Sequence, residues 1–221
     1  MNILPLMLAL SLWCPMGAAG EVEVTYEVFS MPLNDAAKLR RERLGGEKSY
    51  QRILKMLKKG EVRQEAWKSV KMLEGKIAIL EEVDELIFPT EYSDRRPPIH
   101  VNPIGEIGGW TRPLFPIPDT ASAYDTKNTG DTLEVRFEDL GQGLRLSLAA
   151  TKIALIRLDE MGKKTGKVEM PRFGVQKLKT EVTVVPGKAV LLGTVSPPRD
   201  LQKVGEKRIW LAFATVSETS D

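Results

Sequence analysis

The chain has 221 residues, of which 42% are hydrophobic and 28% charged, and this composition predicts a folded protein with one sizeable core or two small ones. Thirty-two Lys and Arg residues against thirty Asp and Glu residues leave a net charge of +2, which is too balanced to indicate a nucleic-acid binder. Cys14 is the only cysteine and His100 the only histidine, which excludes a disulfide framework, a Cys/His zinc cluster and a Cys–His catalytic pair. We therefore expect no enzymatic activity, and no catalytic, cofactor-binding or metal-binding residues.

The N-terminal segment has the pattern of a secretory signal peptide. Residues 3–19 carry no charge, are rich in Leu, Met and Ala, and end in small residues just before Glu21. The run is shorter than the roughly 20 apolar residues of a spanning helix, and Pro5 and Pro15 interrupt it. Cys14 follows the bulky Trp13 and is interpreted as apolar filler rather than a lipidation site. We predict that residues 1–20 are removed and that the mature protein is exported to the periplasm or the outer membrane.

A loop rich in proline and glycine divides the remaining chain. The predicted parts are an N-terminal α+β part at residues 21–92, the loop at 93–120, a β domain at 121–216 and a tail at 217–221. The loop contains Trp110 and Phe115, which are candidate interaction residues. A connection of this length without its own secondary structure is uncommon inside a compact domain, so we expect it to be functional or mobile.

A helical stretch in the N-terminal part is predicted to have one buried and one basic face. Asn34 is a candidate N-cap, and Tyr50, Ile53, Leu54 and Leu57 follow the spacing of a buried helix face. The other face carries nine cationic side chains: Lys38, Arg40, Arg41, Arg43, Lys48, Arg52, Lys55, Lys58 and Lys59. This face either contacts an acidic partner or is a solvated surface whose charge is balanced by Glu74, Glu81, Glu82, Asp84 and Glu85 elsewhere in the fold. The interaction candidates on it are Lys38, Arg40, Arg41, Lys55 and Lys59.

Alternating apolar and polar residues predict an antiparallel sheet or sandwich. Half-buried strands are expected at residues 21–28, 133–138, 144–148 and 177–184, and the turn at residues 138–143 makes the second and third of these a hairpin. Residues 209–216 are apolar on both faces and therefore predict a central strand. The fold class expected is α+β, with a small N-terminal strand–helix–strand part followed by an antiparallel β domain.

The order of several stretches resembles the core of the secretins, which are ring-forming outer-membrane channels of type II and type III secretion systems and type IV pilus machines. The stretches that carry the resemblance are residues 74–79, 87–89, 128–135, 170–173 and 180–193, and they span roughly the second two thirds of the chain. In that family the comparable stretches include a strand with a small residue ahead of a proline segment and a threonine-rich strand that leads through a glycine turn. The resemblance implies a secretin-like β domain that associates with copies of itself or with a larger channel.

Three departures from the family pattern indicate a reduced secretin-like module. Gly193 is followed by Thr194 where the family has a second glycine, and a short polar link replaces the segment that usually precedes the last strand. Only residues 21–70 are available for the ring domains that normally precede the core. Charged residues on both faces of the strand after Ala149 also argue against insertion into lipid.

The function predicted from the sequence is a structural or interaction component of a bacterial envelope secretion or pilus-type assembly, and not a complete pore. Its expected partners are copies of itself, a larger secretin-type channel or other envelope proteins, with peripheral membrane association and no nucleic acid. The alternative is a stand-alone periplasmic binding module that holds a ligand or peptide with the loop at residues 91–119. No small-molecule substrate and no cofactor are indicated.

The signal-peptide interpretation makes a direct prediction. Mass analysis of the protein isolated from the bacterial envelope is expected to show a chain that starts near Gly20 or Glu21, because the small residues that end the apolar segment lie there. Retention of Met1 in that material would contradict export by this route.

Overall fold

The described part of the chain folds into eight strands and two short helices. The computed structural model describes residues 20–93, 120–161, 168–197 and 207–219. In chain order the elements are β1 Glu21–Pro32, α1 Leu33–Arg41, α2 Gly46–Lys58, β2 Arg63–Leu73, β3 Ile77–Ser93, β4 Thr120–Asp139, β5 Leu144–Met161, β6 Val168–Val184, β7 Val190–Val195 and β8 Arg208–Glu218.

The first sheet joins the two ends of the chain. Its strand order is β2–β1–β8–β7, and neighbouring strands are antiparallel. β1 and β8 pair without a register shift from Val22 opposite Glu218 to Pro32 opposite Arg208. The central position predicted for residues 209–216 is confirmed, and Leu211, Ala212, Phe213 and Ala214 are all buried there.

The second sheet contains four longer strands in the order in which they occur along the chain, β3–β4–β5–β6. All neighbours are antiparallel. The hairpin predicted at residues 138–143 is confirmed as the β4–β5 connection, where Leu140 N–H donates to the Gly143 carbonyl over 3.0 Å. Each of these strands is longer than any strand of the first sheet. The first sheet therefore covers only part of the second sheet.

The main core lies between the two sheets. It combines side chains that alternate along β1, β4, β5 and β8, because every second residue of a strand faces the same side. Val24, Val135, Leu146 and Val216 have no exposed surface. The half-buried strands expected from the alternating pattern are thus confirmed, with their apolar faces turned toward each other.

A second core lies between the two helices and the opposite face of the first sheet. Phe29, Phe213 and Tyr50 pack ring against ring at centroid distances of 5.5–6.1 Å, and Ile53 of α2 is fully buried among them. The buried helix face predicted from the spacing of Tyr50 and Ile53 is confirmed. Asn34 lies inside α1 rather than before it, and no side-chain hydrogen bond caps that helix.

A buried carboxylate connects α2 to the first sheet. Glu27 of β1 is only 7% exposed. Its oxygens accept hydrogen bonds from the Tyr50 hydroxyl over 2.5 Å and from the Gln64 amide over 2.8 Å. Since a buried charge without partners is costly, these two bonds fix the position of α2 relative to β1 and β2. Burial, followed by the Glu27 carboxylate, raises the pKa of Tyr50 above its ordinary value.

The predicted α+β class, with a separate N-terminal strand–helix–strand part, is wrong. The described residues form a mostly antiparallel β protein with two sheets and helices of only nine and thirteen residues. β1 does not close a sheet with β2 alone, because its other edge pairs along eleven positions with β8. The alternating pattern of β1 showed a half-buried strand but could not show which strand it pairs with, since any apolar face satisfies the pattern.

The inter-sheet core contains one tyrosine whose hydroxyl is difficult to ionise. Tyr26 of β1 is 7% exposed and lies in the core beside the second sheet. Burial is the main cause, and the carboxylate of Asp131 the lesser cause, of a rise in the pKa of Tyr26 from 10.0 to about 12. The folded protein therefore favours the neutral phenol more strongly than the unfolded chain does.

This raised pKa predicts a loss of stability in alkali. The stabilisation that comes from the neutral Tyr26 phenol is complete below pH 10 and is lost as the pH rises to about 12. The reason is that Tyr26 loses its proton at a lower pH in the unfolded chain than in the folded protein. In urea titrations, the free energy of unfolding should fall by roughly 2–3 kcal/mol more in the wild type than in Tyr26→Phe over that range. All other tyrosines are present in both proteins, so the difference isolates Tyr26. Parallel pH profiles for the two proteins would contradict the assignment.

Candidate interaction surface

The second sheet splits into two arms at one end. β4 pairs with β5 only from Gly130 opposite Ile153 to Asp139 opposite Leu144. Beyond that point β4 continues beside β3 as far as Thr120 opposite Ser93, and β5 continues beside β6 as far as Met161 opposite Val168. Two two-stranded arms therefore extend past the sandwich, and each leads into a segment outside the described residues, 94–119 for the first arm and 162–167 for the second.

Gly130 permits the split. Its φ is +125°, a region that residues with a side chain rarely adopt, and a Cβ built there would lie 2.1 Å from the Glu82 carbonyl oxygen. Only a glycine therefore lets β4 bend away from β5 while it stays paired with β3. The next residue, Asp131, forms two 3.0 Å contacts with Lys152 of β5 and so ties the two strands together just before they separate.

The two arms contact each other beyond the split. The rings of Phe88 and Phe173 lie 5.7 Å apart between centroids, although Phe88 is on β3 and Phe173 on β6. Near the ends of the arms, side chains from both line one groove: Leu86, Ile87, Pro89, Leu158, Glu160, Glu169 and Pro171. The first arm therefore lies against the second and does not continue the sheet in its plane.

The outer strands of the second sheet carry opposite charges. Within the described ranges, β3 and β6 each pair on one side only. β3 has five acidic residues and no basic one: Glu81, Glu82, Asp84, Glu85 and Glu91. β6 has Arg172, Lys177 and Lys179 against two glutamates. In the base of the sheet, where β4 pairs with β5, these two edges lie on opposite sides of the subunit. Asp84, Glu85, Glu91 and Arg172 lie on the arms.

An exposed apolar stripe runs along the acidic edge. Ile77, Ile79, Val83 and Ile87 are 57%, 58%, 42% and 62% exposed. They occupy alternate positions of β3, whereas Ala78 and Leu80 between them pack on the inter-sheet core. The stripe therefore lies on the face of the second sheet that points away from the first sheet. A long exposed strand with apolar side chains at a sheet edge is a site at which another strand can pair.

The basic residues singled out in the sequence lie together on the helical layer. Lys38, Arg40 and Arg41 are on α1, Lys55 is on α2 and Lys59 follows the last turn of α2, and all five are exposed. The structure therefore gathers them on the side of the first sheet opposite the second sheet. Trp110 and Phe115 lie outside the described residues.

Two features were missed in the sequence. The exposure of Ile77 and Ile79 was not expected, although the acidic residues that follow on the same strand were a signal that β3 lies at an edge. Trp67 of β2 is 62% exposed. It lies on the face turned away from the second sheet, because its neighbour Ala66 packs on the inter-sheet core. The sequence offered no signal for Trp67, since a tryptophan in a strand is more often buried.

No group of three or more His, Cys, Asp or Glu side chains within the described ranges is arranged to hold a metal ion. Within the same ranges, no helix combines the length and the apolar character needed to cross a membrane.

This chain is similar to several solved secretin structures. The InvG secretin domain of the Salmonella SPI-1 injectisome has 12% sequence identity, with 91% of this chain and 64% of that chain covered and a TM-score of 0.46. GspD in the ETEC pilotin–secretin complex has 12% sequence identity and a TM-score of 0.45, and the match covers 92% of this chain and 50% of that chain. The secretin PilQ of the Vibrio cholerae type IV competence pilus has 13% sequence identity and a TM-score of 0.45, and the match covers 92% of this chain and 62% of that chain.

The likeness to these structures is coarse. This chain spans between half and two thirds of the length of those three structures. No protein-family model matches the sequence, and no curated protein matches it either.

The geometry at Gly130 predicts an unequal response to two identical substitutions. Gly130→Ala should lower the free energy of unfolding by about 2–4 kcal/mol, because the new methyl group meets backbone and the residue needs a strained φ. Gly141→Ala is the matched control. That glycine also has positive φ, +76°, but no atom lies within 4 Å of the added Cβ, so the expected cost is about 1 kcal/mol. If both variants lose the same free energy of unfolding in urea denaturation, the close approach of Gly130 to the Glu82 backbone is contradicted.

Proposed function

We propose that this protein is a self-associating structural subunit of a bacterial envelope secretion or pilus-type assembly, and that copies join through the two outer strands of the second sheet. The observation that carries the proposal is the opposite charge of β3 and β6, two long strands that each pair on one side only within the described ranges. The order of sequence stretches that resembles the secretin core supports the same class of function.

The strand directions suit such an association. Four antiparallel strands place β3 and β6 in opposite directions at the two sides of the sheet. A second copy in the same orientation therefore brings its β3 beside β6 of the first copy as an antiparallel pair. The contact joins two different edges, so a growing assembly always has one unpaired β3 and one unpaired β6 at its ends. Contacts of this kind form a ring when the rotation between copies closes.

The charged side chains lie on matching faces. Glu81 and Glu85 share the outward face of β3 with the apolar stripe, and Lys177 and Lys179 lie on the outward face of β6 because Leu178 between them packs on the core. All four are exposed and none has an ion pair within the described part of the chain. Across the junction they would form oppositely charged cross-strand neighbours, which favour pairing and register.

The first sheet accompanies the second in this arrangement. Lys68 of β2 contacts Glu82 of β3 over 3.1 Å, and the Gln176 amide of β6 donates to the Ser196 carbonyl just after β7 over 2.6 Å. β2 therefore lies over β3, and β7 lies over β6. A neighbour that extends the second sheet also brings its β2, with the exposed Trp67, toward β7 of the first copy.

The proposal includes the cellular setting predicted from the sequence. The subunit is exported, resides in the periplasm or at the outer membrane, and associates with itself, with a larger secretin-type channel or with other envelope proteins. It acts as a structural component, without a catalytic step.

Charge reversal at the two edges tests the proposal. In analytical ultracentrifugation of the full chain in detergent without added lipid, the wild type should form large oligomers. Glu81→Lys with Glu85→Lys should leave monomers, because two basic edges then meet, and Lys177→Glu with Lys179→Glu should do the same with two acidic edges. A mixture of the two double variants should regain oligomers, since each junction again joins opposite charges.

The matched control is Lys55→Glu with Lys59→Glu, which makes the same change of charge on α2 and should leave the oligomers intact. Thermal melting of each variant checks that the subunit is folded. Oligomers of unchanged size in both edge variants, or a monomeric wild type, would overturn the proposal. A monomeric wild type that binds peptides through residues 91–119 would instead favour the stand-alone binding module.

A further inference from the structure

The helical layer carries a large excess of positive charge. Residues 33–60 contain nine Lys and Arg residues but only Asp35, Glu42 and Glu47 as acids, whereas the whole chain has a net charge of only +2. The rest of the molecule is therefore net negative. Charge is divided between the layers of the fold, with the positive part on the helices.

The acidic residues that the sequence offered to balance this charge lie in another layer. Glu81, Glu82, Asp84 and Glu85 are on β3, and Glu74 accepts a hydrogen bond from the Asp139 backbone N–H over 3.1 Å. All of them belong to the second sheet or to the turn that enters it, and the first sheet separates that sheet from the helices. These acids therefore do not neutralise the basic face locally.

Few of the helical cations have a local partner. Lys38 pairs with Asp35 over 3.2 Å, and Arg52 pairs with Glu42. The third acid, Glu47, accepts a hydrogen bond from the Ala189 backbone N–H over 2.7 Å. The remaining cations form no ion pair within the described part of the chain: Arg40, Arg41, Arg43, Lys48, Lys55, Lys58 and Lys59.

The cations of α2 form a straight row. Lys48, Arg52, Lys55 and Lys59 are spaced four, three and four residues apart, so they fall on one side of the helix over roughly 16 Å. Tyr50, Ile53 and Leu57 occupy the opposite side and pack on the first sheet. The row therefore lies parallel to the sheet and points away from the protein. An extended flat partner can reach Lys48, Lys55 and Lys59 at once, beside the ion pair of Arg52 with Glu42.

Arginines indicate the chemistry of that partner. Four of the nine cations are Arg, whose planar guanidinium group donates paired hydrogen bonds to phosphate oxygens. Leu33, at the start of α1, is 41% exposed beside them. Cations in a row on an amphipathic helix, with an exposed leucine nearby, suit the headgroup region of an anionic bilayer.

We propose that the helical layer binds an anionic phospholipid surface through the cationic row of α2 together with Arg40 and Arg41 of α1. The proposal does not depend on self-association, because the helices lie on the opposite side of the first sheet from the second sheet. It places the helical layer against the membrane surface while both outer strands of the second sheet remain accessible to neighbouring copies.

Vesicle sedimentation tests this proposal. The mature chain, from which residues 1–20 have been removed, should bind vesicles that contain phosphatidylglycerol and should bind vesicles of phosphatidylcholine alone at least about tenfold more weakly. Arg41→Glu with Lys55→Glu should lower the affinity for the anionic vesicles by at least about tenfold, and rising salt should weaken the wild type more than this variant. The matched control, Lys76→Glu with Lys127→Glu, changes the net charge equally on the second sheet and should bind like the wild type.

Equal binding to both vesicle types would overturn the proposal. So would an equal loss of affinity for anionic vesicles in the helix variant and its control. Binding of a soluble acidic polymer such as polyglutamate without vesicle binding would also overturn it. The oligomeric state of the helix variant is measured in the same preparation. Lost vesicle binding with intact oligomers separates this surface from the junction between copies.

Discussion

The pairing of β1 with β8 is the constraint on which the other layers depend. These two strands come from opposite ends of the described chain and form the centre of the first sheet. One face of the pair, with Val24 and Val216, forms a wall of the inter-sheet core, and the other, with Phe29 and Phe213, receives the helices. Because both faces are buried, the position of either neighbouring layer is set by the same two strands. Removal of β8 would expose both cores at once.

The second sheet combines a fixed base with two projecting arms. Its base is held by the inter-sheet core, where Leu133, Val135 and Leu146 are essentially inaccessible. Beyond Gly130 this support ends, and the arms are held by strand pairing and by contacts such as that between Phe88 and Phe173. The outer strands of the base are consequently held firmly by the core while their outer sides remain unpaired in the described structure. Rigid edges of this kind lower the entropic cost of joining a neighbouring copy.

The separation of charge between layers gives the molecule two different surfaces. The helical layer is positive and lies on one side of the first sheet, whereas the second sheet on the other side has an acidic and a basic edge. A balanced total of thirty-two basic and thirty acidic residues conceals this division. The two proposed interactions, with lipid and with a second copy, therefore rest on separate residues.

The local elements are predictable from the sequence because their signals are periodic. Alternation identified the half-buried strands, apolar residues on both faces identified residues 209–216 as a central strand, and the spacing of Tyr50, Ile53 and Leu57 identified the buried face of α2. The ordered stretches also gave the general resemblance to secretins. Only the tertiary structure decided the fold class and the charge distribution.

The reason is that partners distant in sequence leave no periodic signal. β1 pairs with β8 across nearly the whole chain, and nothing in the alternation of β1 specifies that partner. In the same way, the sequence showed acids near residues 81–85 and bases near residues 38–59, but whether they neutralise each other depends on the distance between layers. Burial patterns are encoded locally, whereas pairing and charge proximity arise only when the layers are assembled.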